Sequence, residues 1–275
     1  MRKLYLGLSF AAMAVFVACD GGSGTEVNSD LPPNFSNSSP ELGNEYGSSS
    51  SNENVAIVDP STVVTGTMTD DRDGQTYRTV KIGDQVWMAE NLNYRYLGPT
   101  TELDSSSFCY DDAPAYCDTY GRLYLWSAAM DSAGIIKGNT ANGCGGYSEC
   151  TLSGNVRGVC PQGWHVPSNE EWKALIVAVE GFITDYFEIT AGPKLKSASG
   201  WYEKGTDNYG FSALPAGMRY HDGDYEEEGG NANFWSSTEG GSFVAYFMEL
   251  SSLSNDANMI NVYKGNGFSV RCLKD

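Results

Sequence analysis

The sequence predicts an α+β domain, built of short antiparallel strands and about two main helices, carried behind a disordered tether. Three observations predict it. Aromatic-rich apolar runs broken by Gly, Asn and Asp occupy both ends of the folded part, and two helical patterns lie between them. Strands, then helices, then strands is the α+β order, not the alternating βαβ one. Residues 20–54 hold 23 Gly, Ser, Asn or Pro among 35 positions and no Lys or Arg, a composition that cannot bury enough apolar surface to fold. Of seven cysteines, one stands near the start and six fall in the folded part, an even number that suggests disulfides.

The start of the chain is basic at Arg2 and Lys3, and an apolar run over residues 4–17 follows. A short apolar core ending in a small residue is the pattern of a secretion signal, and the run is too short to span a membrane comfortably. Its end, Phe16-Val17-Ala18-Cys19, resembles a bacterial lipobox with Phe16 where Leu is usual. The expectation is a lipoprotein signal over residues 1–18, an acylated Cys19 that partners a lipid membrane, a tether over residues 19–60 and a domain over residues 61–275. As a flexible coil the tether would span about 30–35 Å. The implied location is the bacterial cell envelope, lipid-anchored, at the outer membrane or the cell surface.

Charge narrows the partners. The chain carries 35 acids against 17 bases, a net charge of −18, and loss of Arg2 and Lys3 makes the mature form more acidic still. Such a surface repels phosphate backbones, so nucleic acid is not an expected partner. Cations and neutral polymers are compatible with it.

Within the domain, residues 62–93 read as strands. Tyr77, Val80, Ile82 and Val86 mark the apolar positions, with turns at Asp73-Gly74 and Gly83-Asp84. Asp70, Asp71 and Asp73 offer oxygen atoms of the kind calcium takes, but the EF-hand pattern is absent and they read as a turn. Residues 121–133, "GRLYLWSAAMDSA", read as a short helix with Leu125, Trp126, Ala129 and Met130 on one face. The segments from Cys109 to Cys117 and from Cys144 to Cys150 are short loops that local disulfides could close, although six cysteines allow fifteen pairings. No pair has the C-x-x-C spacing of a zinc site.

The clearest helix starts at Ser168. Ser168 and Glu171 form an S-x-x-E capping box, Trp172, Leu175, Ile176 and Val179 recur on one face, and Gly181 supplies the stop. Just before it lies "CPQGWHVPSNEEW", in which Cys160 stands five residues ahead of His165. A thiol near an imidazole can be a nucleophile with its base. It can equally be half a disulfide beside a packed aromatic, here Trp164. The last third, with "GFSALPAGMRY", "ANFWSSTE", "FVAYFMEL" and "GFSVRCLKD", returns to strands, and Trp235 reads as a core residue rather than a sugar platform.

Six ordered motifs carry a resemblance: "DRDGQTYRTVKIGDQVWMAENLNY", "YGRLYLWSAAM", "GVCPQGWHVPSNEEWKAL", "GFSALPAGMRY", "FWSSTE" and "GFSVRCLKD". Together they resemble the Fibrobacter succinogenes major paralogous domain over roughly residues 64–275. That family occurs on exported bacterial lipoproteins and surface proteins, so the resemblance implies a place and not a reaction. More remotely, the second half resembles the C-type-lectin-like fold, which includes formylglycine-generating enzymes. In that fold an early cysteine before the helix pairs with one in the last strand, which implies a bond between Cys160 and Cys272. The remaining pairings are then Cys109 with Cys117 and Cys144 with Cys150. So paired, no thiolate remains to attack anything.

No G-x-S-x-G elbow, P-loop, H-E-x-x-H or dinucleotide fingerprint is present. The most unusual local stretch is "RYHDGDYEEEGGNANFW", where Asp222, Asp224, Glu226, Glu227 and Glu228 crowd beside Tyr220, His221 and Tyr225. Tyr220, Asp222, Asp224 and Tyr225 are the candidate ligand-binding residues, for a sugar or for calcium; otherwise the stretch is a solvated acidic hairpin. The leading expectation is a non-catalytic surface binding or adhesion domain for polysaccharide that requires no cofactor. Its alternatives are an enzyme, formylglycine-generating-like or hydrolytic, and a structural envelope protein that binds other proteins.

Overall fold

This computed structural model describes residues 57–99, 106–145, 148–150, 152–180 and 190–275. The leader, Cys19, the tether up to residue 56 and the helix stop at Gly181 lie outside them. Among the described residues no helix is long and apolar enough to cross a membrane.

In chain order the strands and helices begin with β1 (Val64–Thr69), β2 (Thr76–Ile82), β3 (Gln85–Met88), β4 (Ser107–Phe108), α1 (Pro114–Tyr120), β5 (Leu123–Leu125) and α2 (Trp126–Ala129). They continue with β6 (Trp164–His165), α3 (Asn169–Glu180), α4 (Ala191–Leu195), β7 (Ala216–Arg219) and β8 (Tyr225–Glu228). The last are β9 (Asn231–Glu239), β10 (Val244–Ser251), β11 (Ala257–Tyr263), β12 (Gly267–Ser269) and β13 (Leu273–Lys274). The α+β expectation holds, with one difference: residues 121–133 form β5 and then a single turn of helix. Gly267, Phe268 and Ser269 of β12 pair with Leu125, Tyr124 and Leu123. That long-range pairing draws Leu123–Leu125 into a strand against its local helical pattern.

Two sheets result. One runs β1-β2-β3-β13-β6, and the other runs β11-β10-β9-β7-β12-β5-β4 with β8 on β7. The first begins as a hairpin whose turn is stapled by its own side chains. Arg72 donates to both oxygens of Asp70, at 2.6 Å and 2.8 Å, and Gln75 donates its backbone N–H to Asp73. Asp70 and Asp73 are therefore turn residues.

Helix α3 starts as its capping box dictates. The Ser168 N–H donates to Glu171 Oε2 at 2.8 Å, and the Glu171 N–H donates to Ser168 Oγ at 3.3 Å. Such a cap is worth about 1 kcal/mol. Trp172, Leu175, Ile176 and Val179 are all buried, between Val80 and Trp87 of the first sheet and Phe234 and Met248 of the second. Each such burial stabilises by about 1.5–3 kcal/mol. Trp87 and Trp172 meet with centroids 4.6 Å apart, so the helix fastens the sheets together. Trp164 and Trp235 are buried, and Trp235 Nε1 donates to the Tyr124 carbonyl at 2.7 Å.

Two buried cations complete the interior. Arg271 is fully buried without a bonded carboxylate. It donates to Asn91 Oδ1 at 2.7 Å and to the carbonyls of Phe211 and Ser212, and it lies 4.5 Å from the Phe211 ring centre. Burial lowers its pKa to about 9. Lys264 is equally buried. It pairs with Glu239, donates to the Ser148 and Ser242 carbonyls at 3.1 Å, and lies over the Trp126 ring. The pair also gathers the loop from Cys144 to Cys150, because Cys150 donates its N–H to Glu239 Oε2 at 2.8 Å.

Candidate functional site

The Cys160–His165 question has a structural answer. Cys160 is bonded to Cys272, Cys109 to Cys117 and Cys144 to Cys150. All six cysteines of the described domain are therefore engaged, and chemistry that needs a free thiol has none there. His165 is buried, with Nδ1 2.7 Å from Asp275 and Nε2 2.9 Å from Glu171. Burial alone would lower its pKa, but the bonds to Glu171 and Asp275 outweigh it and hold the ring above its ordinary value. This imidazole is locked between two carboxylates as a tie, and it is not held near any sulfur nucleophile.

The acidic stretch is a hairpin, with β7 and β8 paired from Ala216↔Glu228 to Arg219↔Tyr225. Gly217 permits it: its φ is +65°, and a Cβ there would collide with the Glu226 carbonyl. The hairpin separates the predicted residues. Tyr220 packs against the larger core cluster, whereas Tyr225 joins Tyr110, Tyr116 and Tyr120 in a smaller one. Asp222 and Asp224 are exposed at the turn, where Asp222 accepts the Asp224 N–H at 3.3 Å. No group of three or more His, Cys, Asp or Glu side chains among the described residues is arranged to hold a metal ion.

Tyr225 leads to the better site. Its hydroxyl donates to Asp112 at 2.7 Å, and burial followed by that bond pushes the phenol pKa up. Asp112 lines a cleft of about 700 Å³. The walls are the β1–β2 turn at Asp73, the Asn93-Tyr94-Arg95 segment after β3, and the disulfide loop from Cys109 to Cys117, with Phe108 and Arg122 at the base. A smaller neighbouring cleft, between Gln75, Asn91 and Tyr120, shares Gln75, Asn93, Cys117 and Asp118 with it. Through these shared residues the two clefts adjoin and together make one groove.

The groove is polar and partly unsatisfied. Asn93 Oδ1 and Arg122 Nε are buried atoms without a hydrogen-bond partner. Burial lowers the Arg122 pKa. Arg219 Nε behind Phe108 is likewise unpartnered, with its guanidinium 4.2 Å from the Phe108 ring centre. Unmet buried groups of this kind are unusual in a folded chain. A ligand bearing hydroxyls would instead meet the exposed polar side chains of the lining, Asp73, Arg95 and Asp118, beside the rings of Tyr94 and Phe108. The one serine of the cleft, Ser107, is engaged with the Tyr96 backbone, and the carboxylates of the lining are Asp73, Asp112 and Asp118.

Of the four residues singled out from sequence, only Tyr225 touches this groove, and it does so through Asp112. Asn93, Arg95, Asp112, Asp118 and Arg122 were not singled out. Their one local signal is the mixed polar and aromatic run Asn93-Tyr94-Arg95 directly after an apolar strand.

Comparison with known proteins places the chain in a family. The profile of the Fibrobacter succinogenes major domain matches residues 80–274, and the chain belongs to that family. No curated protein matches the chain, and neither does any solved structure. The match begins inside β2 and runs to the last strand, so it includes the whole lining of the first cleft except Asp73 and Gln75.

Proposed function

We propose that this family member is an exported, lipid-anchored surface protein whose domain binds an extended glycan in the groove without chemically altering it. The observation that carries this reading is the continuity of the two clefts through Gln75, Asn93 and Asp118, with the exposed polar side chains of Asp73, Arg95 and Asp118 along it. Two adjoining surface clefts suit a chain of several units, whereas a small molecule is usually enclosed. Individual hydrogen bonds contribute only about 0.5–1.5 kcal/mol net, so useful affinity needs several sugar units. The lipobox-like start and the tether support display at a membrane. The engaged cysteines and the locked His165 support a binding role over an enzymatic one.

The test is a binding screen of the oxidised protein against cellulose, xylan, chitin and peptidoglycan, with calcium and then with chelator. Saturable binding that is lost on Arg122→Gln, with the melting temperature kept, supports the groove. Binding that survives Arg122→Gln but is lost on Tyr220→Ala or Asp224→Ala moves the site to the hairpin turn. No binding to any glycan sinks the reading. Display has its own test: a Cys19→Ala protein should lose its acyl mass and leave the membrane fraction.

A second reading, protein binding, has one observation in its favour. Tyr110 packs against Tyr116 and Tyr225 with ring centres 5.2 and 5.3 Å apart, Tyr120 stacks on Tyr116, and the exposed Tyr202 acts electrostatically on Tyr120; tyrosine is enriched at interfaces. It predicts capture of an envelope protein that Tyr202→Ala abolishes and Arg122→Gln leaves intact.

A further inference from the structure

A third cleft, of about 790 Å³, meets the groove at Tyr94. Its charge differs from that of the molecule as a whole. Arg72, Lys137 and Arg157 line it, and the one acid among its lining residues is Asp275. One of these cations is matched inside the protein, and the acid shares the His165 ring with Glu171. Arg72 is closed on Asp70 at 2.6 Å, and Asp275 is 2.7 Å from His165. Lys137 and Arg157 remain. Arg157 spends Nε on the Cys160 carbonyl at 3.2 Å and Nη1 on the Lys137 carbonyl at 2.7 Å. Its Nη2 and the exposed Lys137 ammonium have no bonded partner among the described residues. Burial, then the charge on Arg72, lowers the Arg157 pKa against the opposing pull of Asp70, Asp131 and Asp275. An incoming anion would relieve that unfavourable charge.

We infer that the glycan taken by the groove is acidic, and that Lys137 and Arg157 receive the carboxylate of a uronic acid unit lying beyond Tyr94. The inference rests on the groove reading and adds a substrate class to it. Tyr94 stands between the two clefts with the Arg72 guanidinium stacked 3.8 Å from its ring centre. A sugar passing over that edge would carry its neighbour into the cationic cleft. The net charge of −18 does not forbid this. Exposed charges are screened beyond about 8 Å at physiological ionic strength, so the two unmatched cations in contact outweigh distant acids.

The experiment is calorimetry of the oxidised protein with a short oligogalacturonate and with its fully methyl-esterified form, which has the same shape and no charge. The acid form should bind about ten-fold more tightly than the ester. Lys137→Glu should remove that advantage, bringing acid and ester to similar affinity, and Arg157→Gln should act in the same direction. Lys137 is exposed, so the first variant keeps the fold. Equal binding of acid and ester overturns the inference and leaves the groove reading standing. So does an acid preference that survives both variants. No binding of either form sinks both readings.

Discussion

His165 Nε2 lies 2.9 Å from Glu171 Oε1, and this contact joins the strand entering α3 to the helix's own capping residue. Its pH dependence follows from the two shifts. The His165 pKa is raised above 6.5, so its contribution is full below that value and is lost as pH rises through the folded pKa. The Glu171 pKa is lowered below 4.5, so its contribution is present above that value and is lost as pH falls through the folded one. The stability lost on His165→Asn should therefore be greatest between pH 4.5 and 6.5, at about 1–2 kcal/mol. It should shrink on the alkaline side. Urea unfolding of both proteins across pH checks this, and a constant difference into the alkaline range would show the ring to be neutral throughout.

Cys160 and Cys272 are 112 positions apart, against 8 and 6 for the other two bonds. Loop entropy then predicts about 4–5 kcal/mol for the long bond and about 2–3 for each short one. Replacing each pair by alanines and measuring unfolding should give that order. Equal losses would mean that strain or residual structure dominates.

Lys264→Met leaves Glu239 facing a pocket without its cation, which should cost about 3–5 kcal/mol. Adding Glu239→Gln should recover part of it. Limited proteolysis should then cut first in the loop from Cys144 to Cys150, whose Gly145 and Ser148 carbonyls Lys264 holds. Unchanged protection of that loop would show that its disulfide suffices.

Arg271→Ala should be among the most damaging single changes, at about 3–5 kcal/mol, because it strands Asn91 Oδ1 and two carbonyls and opens a cavity between Phe211 and Phe234. Arg271→Met keeps the volume and should lose less. Chemical denaturation distinguishes the two, and equal losses would mean that the guanidinium's hydrogen bonds matter and its bulk does not.

Asn93→Ala should separate binding from stability. Its Oδ1 is buried and unpartnered, so its removal should leave stability unchanged or raise it by up to about 1 kcal/mol. Glycan affinity should fall about ten-fold. A loss of stability with unchanged affinity would make Asn93 a scaffold residue.

Much of the fold was legible because its signals are local. The capping box at Ser168, the apolar face of α3 and the turn at Asp73-Gly74 each lie within one short stretch. The split of residues 121–133 into β5 and α2 was not legible, since it depends on pairing with β12 at the far end of the chain. β8 was hidden as well, because "YEEE" carries no apolar alternation and is held by β7 alone. The groove was the least legible part. Asp73, Asn93, Asp112 and Arg122 come from four separate segments, and polar residues at irregular spacing leave no pattern until the sheets bring them together.

If the proposed N-terminal anchoring holds, the order β1-β2-β3-β13-β6 has a mechanical meaning. Load from that side would first break the bonds that hold Val58 to Ala178 and Tyr209, then enter β1, an edge strand paired only with β2, and peel that hairpin. Beyond that point the Cys160–Cys272 bond bypasses the enclosed chain, and withholds about 370–400 Å of slack that an unbonded domain would release. A pulled molecule would give way at its rim and then stop at the part of the chain that the bond encloses.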